Sequence, residues 1–295
     1  MINLNHGYQE VNAYIRGRKE KIWFIKDNEK YLYKYGASNY EIYAELIAEQ
    51  LGRQLGISMA NYKLASYKDT IGVLSKNFIK PGELIYSSDK LKNAVEAIYE
   101  ENNLHGNLKD NTISNLIEAA FTYDSSINTD KLFLELVKRW MFYGLIMESD
   151  KNATNVSFIR MKTRLKLSPD YDNSTMARLN ENINNLISNI HNESDVYKIT
   201  DSIKQSLKPS KNSSDNFLIS LREFVKKYPD ITRNIFQGFE SIDINKAISK
   251  VELENKIEVP WEVKYYLNKT ISLRYQDMKS IINEKENINT CQLRK

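Results

Sequence analysis

The period of the apolar pattern changes once along this chain, and that change restricts the fold more than any single motif does. Up to about Gly82 the apolar residues come in short runs rich in aromatic and β-branched types, and beyond it they recur at helical spacing. Ile22-Trp23-Phe24-Ile25 and Tyr31-Leu32-Tyr33-Lys34 flank Asp27-Asn28-Glu29 and predict a β-hairpin. Ser38-Asn39 supplies a helix cap, and Ala44, Ala48, Leu51 and Leu55 then line one helix face until Gly56 stops the run. Tyr62 to Ala65 and Ile71 to Ser75, around Lys68-Asp69, predict two further strands, and Lys80-Pro81-Gly82 a turn. Helices are predicted over 90–101, 112–121, 131–147, 177–190, 217–228 and 263–286, with a short hairpin of strands 155–159 and 165–167 after the third. The expected fold class is therefore α+β: a small antiparallel sheet with one helix over residues 1–80, then a larger, mainly helical part over 81–295. The breaker-rich segment 208–215 is expected to be a mobile loop, and the chain end to fray from about Asn287.

Composition removes several function classes. The 295 residues are 41% hydrophobic and 27% charged, enough apolar content for a buried core. With Cys291 as the single cysteine, disulfides and cysteine-based zinc sites are excluded, which fits a reducing, cytoplasmic setting and leaves delivery out of the cell as an effector open. Met1 to Tyr14 lacks the basic start and apolar run of a signal peptide, and the longest apolar stretch, Trp140 to Met147, is too short to span a bilayer. The 42 basic and 38 acidic residues are interleaved, which argues against a nucleic-acid partner, since counterion-driven binding needs a basic face. The tyrosines at 31, 33 and 35 alternate as sheet-packing residues do. His6, His105 and His191 are too scattered to share a metal or to form a Ser-His-Asp set.

A different group of residues has the makings of a site. Phosphoryl transfer asks little covalent work of a protein, but it requires a carboxylate for the acceptor hydroxyl, oxygen ligands for magnesium and a cation on the phosphates. Asp150 and Asn155 have the base-to-metal-ligand spacing of a kinase catalytic loop. Asp172 follows the predicted short hairpin, in Leu167-Ser168-Pro169-Asp170-Tyr171-Asp172-Asn173, with Asp170 as the competing carboxylate. Lys34 ends the second hairpin strand, and Glu41 and Glu45 lie one turn apart on the next helix, the arrangement that holds a phosphate-binding lysine. Each feature alone has a plain structural explanation as a turn, a cap or a surface ion pair, and it is their order along the chain that makes them a set.

The same residues carry a resemblance. Tyr40 to Ala48 with Leu55-Gly56-Ile57, Gly72 to Phe78, Asp150 to Ile159 and Leu167 to Asn173 resemble the HipA-like serine/threonine protein kinase family, in particular its compact, stand-alone members. The resemblance runs from about Ile22 to Leu179 and implies a two-lobed protein-kinase-like fold and phosphorylation of protein Ser/Thr hydroxyls with ATP and Mg2+. It implies Asp150 as base, Asn155 and Asp172 as magnesium ligands, and Lys34, supported by Glu41 or Glu45, on the ATP phosphates. Lys76, Asn77 and Phe78 would form the hinge near adenine. The implied partners are a protein substrate and, as in toxin–antitoxin members, a cognate antitoxin protein. The chain departs from the family in two places: Asn152 stands where the family has His, and Gly17 is the one glycine of the phosphate-covering loop. Competing readings of the same residues are a small-molecule phosphotransferase of the aminoglycoside or choline kinase kind and a partner-binding pseudokinase.

Overall fold

Side-chain alternation along two aromatic strands decides what covers each face of the first sheet. In this computed structural model, which describes residues 1–11, 20–35, 39–104, 106–188, 190 and 192–292, β3 (Glu20–Lys26) and β4 (Glu29–Tyr35) pair antiparallel, with Lys21 opposite Lys34 and Trp23 opposite Leu32. Asp27 and Asn28 turn the chain between them at φ values of 50° and 62°, a left-handed region that short polar side chains tolerate. Together with β1 (Ile2–Asn3), β2 (Gln9–Val11), β5 (Tyr62–Tyr67) and β6 (Thr70–Lys76) they form a six-stranded sheet in the order β1-β5-β6-β4-β3-β2. Only the β1–β5 pair is parallel.

One face of this sheet buries Leu4, Phe24, Tyr33 and Leu74, ringed by Tyr8, Tyr31, Tyr35 and Tyr67. The alternating tyrosines are packing residues. Alternation sends Lys21, Trp23, Lys34 and Val73 to the opposite face, over which α1 (Asn39–Gln54) packs.

The predicted hairpin after residue 155 is present as β8 (Ser157–Met161) and β9 (Arg164–Leu167), joined by β7 (Leu84–Ser87) into a three-stranded sheet. The helices α2 (Ser88–Glu101), α3 (Ile113–Tyr123), α4 (Thr129–Leu145), α7 (Phe217–Lys227) and α10 (Trp261–Gln292) lie where the apolar spacing put them. Trp140 of α4 is buried between Phe217 and Phe224 of α7, with ring centroids 5.2 and 5.3 Å away.

Four expectations are corrected. The helix predicted over 177–190 does not form, because Ala177 and Arg178 take φ values of 48° and 60° and the Ala177 amide donates to the Ile146 carbonyl at 2.9 Å. Only α5 (Ile183–Ser188) remains of it. Three helices were not anticipated: α6 (Glu193–Asp201), α8 (Pro229–Gln237) and α9 (Ile244–Asn255), although Asn192, Pro229 and Asp243 start them in the usual way. Segment 208–215 is anchored rather than loose: the Ile113 amide donates to the Lys208 carbonyl at 2.9 Å and the Gln205 amide to the Asp215 carbonyl at 2.9 Å. Finally, α10 extends to Gln292, beyond the end predicted at 286. Gly17, Ser38, His105 and His191 lie outside the described residues. Among the described residues no helix is long and apolar enough to cross a membrane.

One glycine sets how closely β6 approaches β4. A Cβ on Gly72 would lie 2.3 Å from the Lys34 carbonyl oxygen and 2.7 Å from the Tyr33 ring, so backbone would have to move. Gly72→Ala is expected to lower unfolding free energy by about 1–3 kcal/mol, read as a shifted urea midpoint at unchanged slope. A midpoint equal to wild type would show that the sheet yields there at no cost.

Candidate active site

Lys34 is buried one residue before the end of β4, and a lone ammonium there would be heavily penalised. Two carboxylates meet it: Glu45 Oε1 at 3.0 Å and Asp172 Oδ1 at 3.0 Å. Burial works against the charge, but Asp172 and Glu45 outweigh it and raise the Lys34 pKa well above its ordinary value. Of the two helix carboxylates offered by the sequence, it is Glu45 that pairs, whereas Glu41 lies a turn earlier at the helix start. The second oxygen of Glu45 accepts the Asn173 amide at 2.9 Å, which fixes the carboxylate between the lysine and the segment beyond Asp172.

Asp172 sits in the left-handed region at φ 61°, and its amide donates to the Tyr62 hydroxyl at 3.2 Å. Burial would raise its pKa, yet Lys34 and then Lys21, whose Nζ is 3.9 Å from Oδ2, hold the carboxyl far below the usual range. Asp170 is a different kind of residue. Its side chain is buried and accepts from Tyr143 Oη at 2.5 Å and Asn173 Nδ2 at 2.9 Å, with Lys151 Nζ 3.3 Å away. Its backbone is tied to Ser58 and Ala60 at 2.7 and 2.8 Å. Asp170 is thus saturated inside the fold, and Asp172 is the carboxylate left facing the cleft side of the sheet.

The loop 148–155 leaves α4 through Met147, which takes φ 53°. Asp150 is exposed on it, with one oxygen accepting from Asn152 Nδ2 at 2.8 Å. Asn155 Nδ2 donates to the Asp150 carbonyl at 2.6 Å and lies 3.3 Å from its Oδ2. Lys151 Nζ joins this loop to the other acidic segment by donating to the carbonyls of Tyr171 at 2.5 Å and Asp172 at 3.2 Å. Lys34, Glu45 and Asp172 form one ion-paired group, and Lys151, the chain neighbour of Asp150, ties that group to the loop carrying Asp150 and Asn155.

The residues proposed for the hinge separate. Asn77 donates its amide to the Lys30 carbonyl at 2.8 Å and lines an apolar slot of about 340 Å³ with Val11, Trp23, Ile25, Ile79 and Leu84. Phe78 turns inward against Tyr171, with ring centroids 5.8 Å apart. Lys76 is opposite Tyr31, so alternation puts it on the aromatic face, where it pairs with Glu29 at 3.0 Å and does not line the slot. A larger groove of about 810 Å³, between residues 55–58, the start of α4 and α8, shares no residue with this network.

Sequence reading missed three members of the site. Lys21 could have been found from the hairpin register. Lys151 adjoins Asp150, but nothing in the sequence marks its burial. Glu148 is also buried: its Oε1 accepts the Asp150 amide at 2.9 Å and the Thr175 hydroxyl, while its Oε2 meets no hydrogen-bond partner among the described residues. Burial pushes the Glu148 carboxyl up to about 7.

This arrangement of sheet, helix and acidic loops has counterparts among solved structures. The chain is similar to the proinflammatory kinase CtkA of Helicobacter pylori, with a TM-score of 0.77 and 17% identity over 96% of this chain and 97% of that one. The chain has the fold of HipA-like kinases. It is also similar to HipA of Shewanella oneidensis, from a toxin–antitoxin system solved with HipB and operator DNA, with a TM-score of 0.58 and 16% identity over 92% of this chain and 66% of that one. The expected α+β, kinase-like architecture is confirmed by the first of these likenesses. No protein-family model and no curated protein matches the chain.

Two outcomes test the buried groups. Asp170→Ala leaves Lys151 without its buried carboxylate and is expected to cost about 3–5 kcal/mol in denaturant unfolding. A cost below about 1 kcal/mol would mean that the pair does not hold the two segments. Glu148 keeps its proton in the folded state up to about 7, whereas the unfolded side chain releases it near the ordinary glutamate value. Between those values the folded state binds more protons, so stability falls as pH rises through that window. Glu148→Gln is expected to remove that loss, on the order of 3 kcal/mol, so that the variant gains on wild type as pH rises from 4.5 to about 7. Parallel pH profiles for the two proteins would contradict it.

Proposed function

We propose that this chain is an ATP- and Mg2+-dependent protein kinase that phosphorylates Ser/Thr hydroxyls, with the division between its two lobes near Lys80. The single observation that carries the reading is the Lys34 ammonium bound at 3.0 Å by both Glu45 and Asp172, with Lys151 linking Asp172 to the Asp150 loop. In this reading Lys34 binds phosphate oxygens, Glu45 aims it, and the apolar slot beside Asn77 takes the adenine. Among the described residues no group of three or more His, Cys, Asp or Glu is arranged to hold a metal. Magnesium is commonly held by one or two protein ligands together with phosphate oxygens and water. Asp172 and Asn155 supply such ligands, and magnesium bound there would neutralise charge on the transferred phosphoryl group.

Asp150 is the base. Its carboxylate is exposed, as an acceptor for an incoming hydroxyl must be, and Asn152 and Asn155 restrict its orientation from two sides. Asn152 thereby tethers Asp150 where the family resemblance leads one to expect His. Phosphoryl transfer is supported by the kinase neighbour, and the toxin–antitoxin setting of the HipA neighbour supports an antitoxin partner and a toxin role.

Purified chain with labelled Mg-ATP and a cell lysate is expected to transfer phosphate to Ser or Thr of specific proteins. Asp150→Ala should reduce transfer by about 10²–10⁴-fold with an unchanged circular dichroism spectrum. Asp172→Ala should also abolish the magnesium-dependent rise in melting temperature that ATP gives wild type. Wild-type turnover in either variant would remove the assigned roles.

A further inference from the structure

We infer that Lys21 is a second phosphate-binding cation of the nucleotide site, holding the triphosphate together with Lys34; this rests on the nucleotide reading above. The first observation is register. Lys21 and Lys34 are directly opposed on antiparallel strands, and like charges in that position repel. Two unpaired lysines on a surface would splay into water, but here both side chains are turned in, with 14% and 9% of their surface exposed.

The second observation is what they share. Lys21 Nζ lies 3.9 Å from Asp172 Oδ2, and Lys34 Nζ lies 3.0 Å from Asp172 Oδ1, so one carboxylate is divided between two ammonium groups. Glu45 also holds Lys34. A magnesium ion on Asp172 would take part of that carboxylate from both ammonium groups, and phosphate oxygens are anions that can replace it. Of the two lysines, Lys21 is the farther from Asp172.

The third observation is where Lys21 stands on its strand. Trp23 and Ile25, two and four residues on, face the same side and line the apolar slot. Lys21 to Ile25 spans roughly 13 Å of extended strand, a cationic end and an apolar end on one ruler, as a nucleoside triphosphate requires. Residues 12–19, which precede the strand, contain a single glycine, Gly17, so their sequence is not that of a glycine-rich phosphate loop.

The test is calorimetric binding of Mg-ATP, adenosine and Mg-tripolyphosphate to wild type, Lys21→Met and Lys21→Arg, with Lys21→Gln measured beside them in case the Met variant folds poorly. Losing one charge-assisted contact to phosphate is expected to weaken Mg-ATP and Mg-tripolyphosphate roughly tenfold or more in the Met and Gln variants. Adenosine affinity should stay within about twofold of wild type, and Lys21→Arg should recover most of the loss. If the Met and Gln variants bind Mg-ATP as wild type does, or lose ATP and adenosine equally, Lys21 is not a phosphate ligand and the nucleotide site stands without it. If wild type binds none of the three, the nucleotide reading and this inference fall together.

Discussion

A buried ammonium must have anions, and the need of Lys34 for two of them organises the functional half of this molecule. The partners come from a helix eleven residues on and from a segment in the other half of the chain, so satisfying one side chain brings β4, α1 and the 170–173 segment to a point. Removing one member of such a buried group leaves a charge that neither water nor a neighbour can screen. Glu45 adds a second link by accepting the Asn173 amide, and Tyr62 adds a third through the Asp172 amide. The geometry of the cleft is thereby a by-product of neutralising charge in a place with little access to water.

A second buried pair, Lys151 with Asp170, does the corresponding work beneath the exposed acid. Asp170 is held by backbone contacts to Ser58 and Ala60, so the residues that follow α1 reach the loop after α4 through one side chain. Asp150 itself stays at the surface, its carboxylate oriented by the two asparagines beside it and its amide bound to Glu148. The pattern is a rigid, charge-neutral foundation with a solvent-accessible carboxylate on top, which suits a group that must meet a large substrate.

Much of this was legible before the fold was known. The β-hairpin, α1 and the long helices were readable because each keeps a single apolar period over enough residues. The choice between Glu41 and Glu45 was not, since both fit helical spacing and only the depth of α1 against the sheet separates them. Residues 177–190 keep a helical pattern but are bent at Ala177 by its bond to the end of α4, a tertiary contact that no local pattern encodes. Lys76 could have been placed by counting alternation along β6 from Leu74 on the aromatic face, whereas the burial of Lys151 and Glu148 leaves no trace in the sequence. Identities of 16% and 17% to the solved neighbours show how far such an architecture survives replacement of most of its side chains.

The tilted contact of Phe78 with Tyr171, ring planes 33° apart, joins the strand connection beside the slot to the acidic segment. Tyr171 is further fixed by its hydroxyl, 2.6 Å from Ser157 Oγ. Aromatic rings in contact resist being pulled apart, because that exposes apolar surface. The contact therefore fastens the connection after β6 to the segment that carries Asp172.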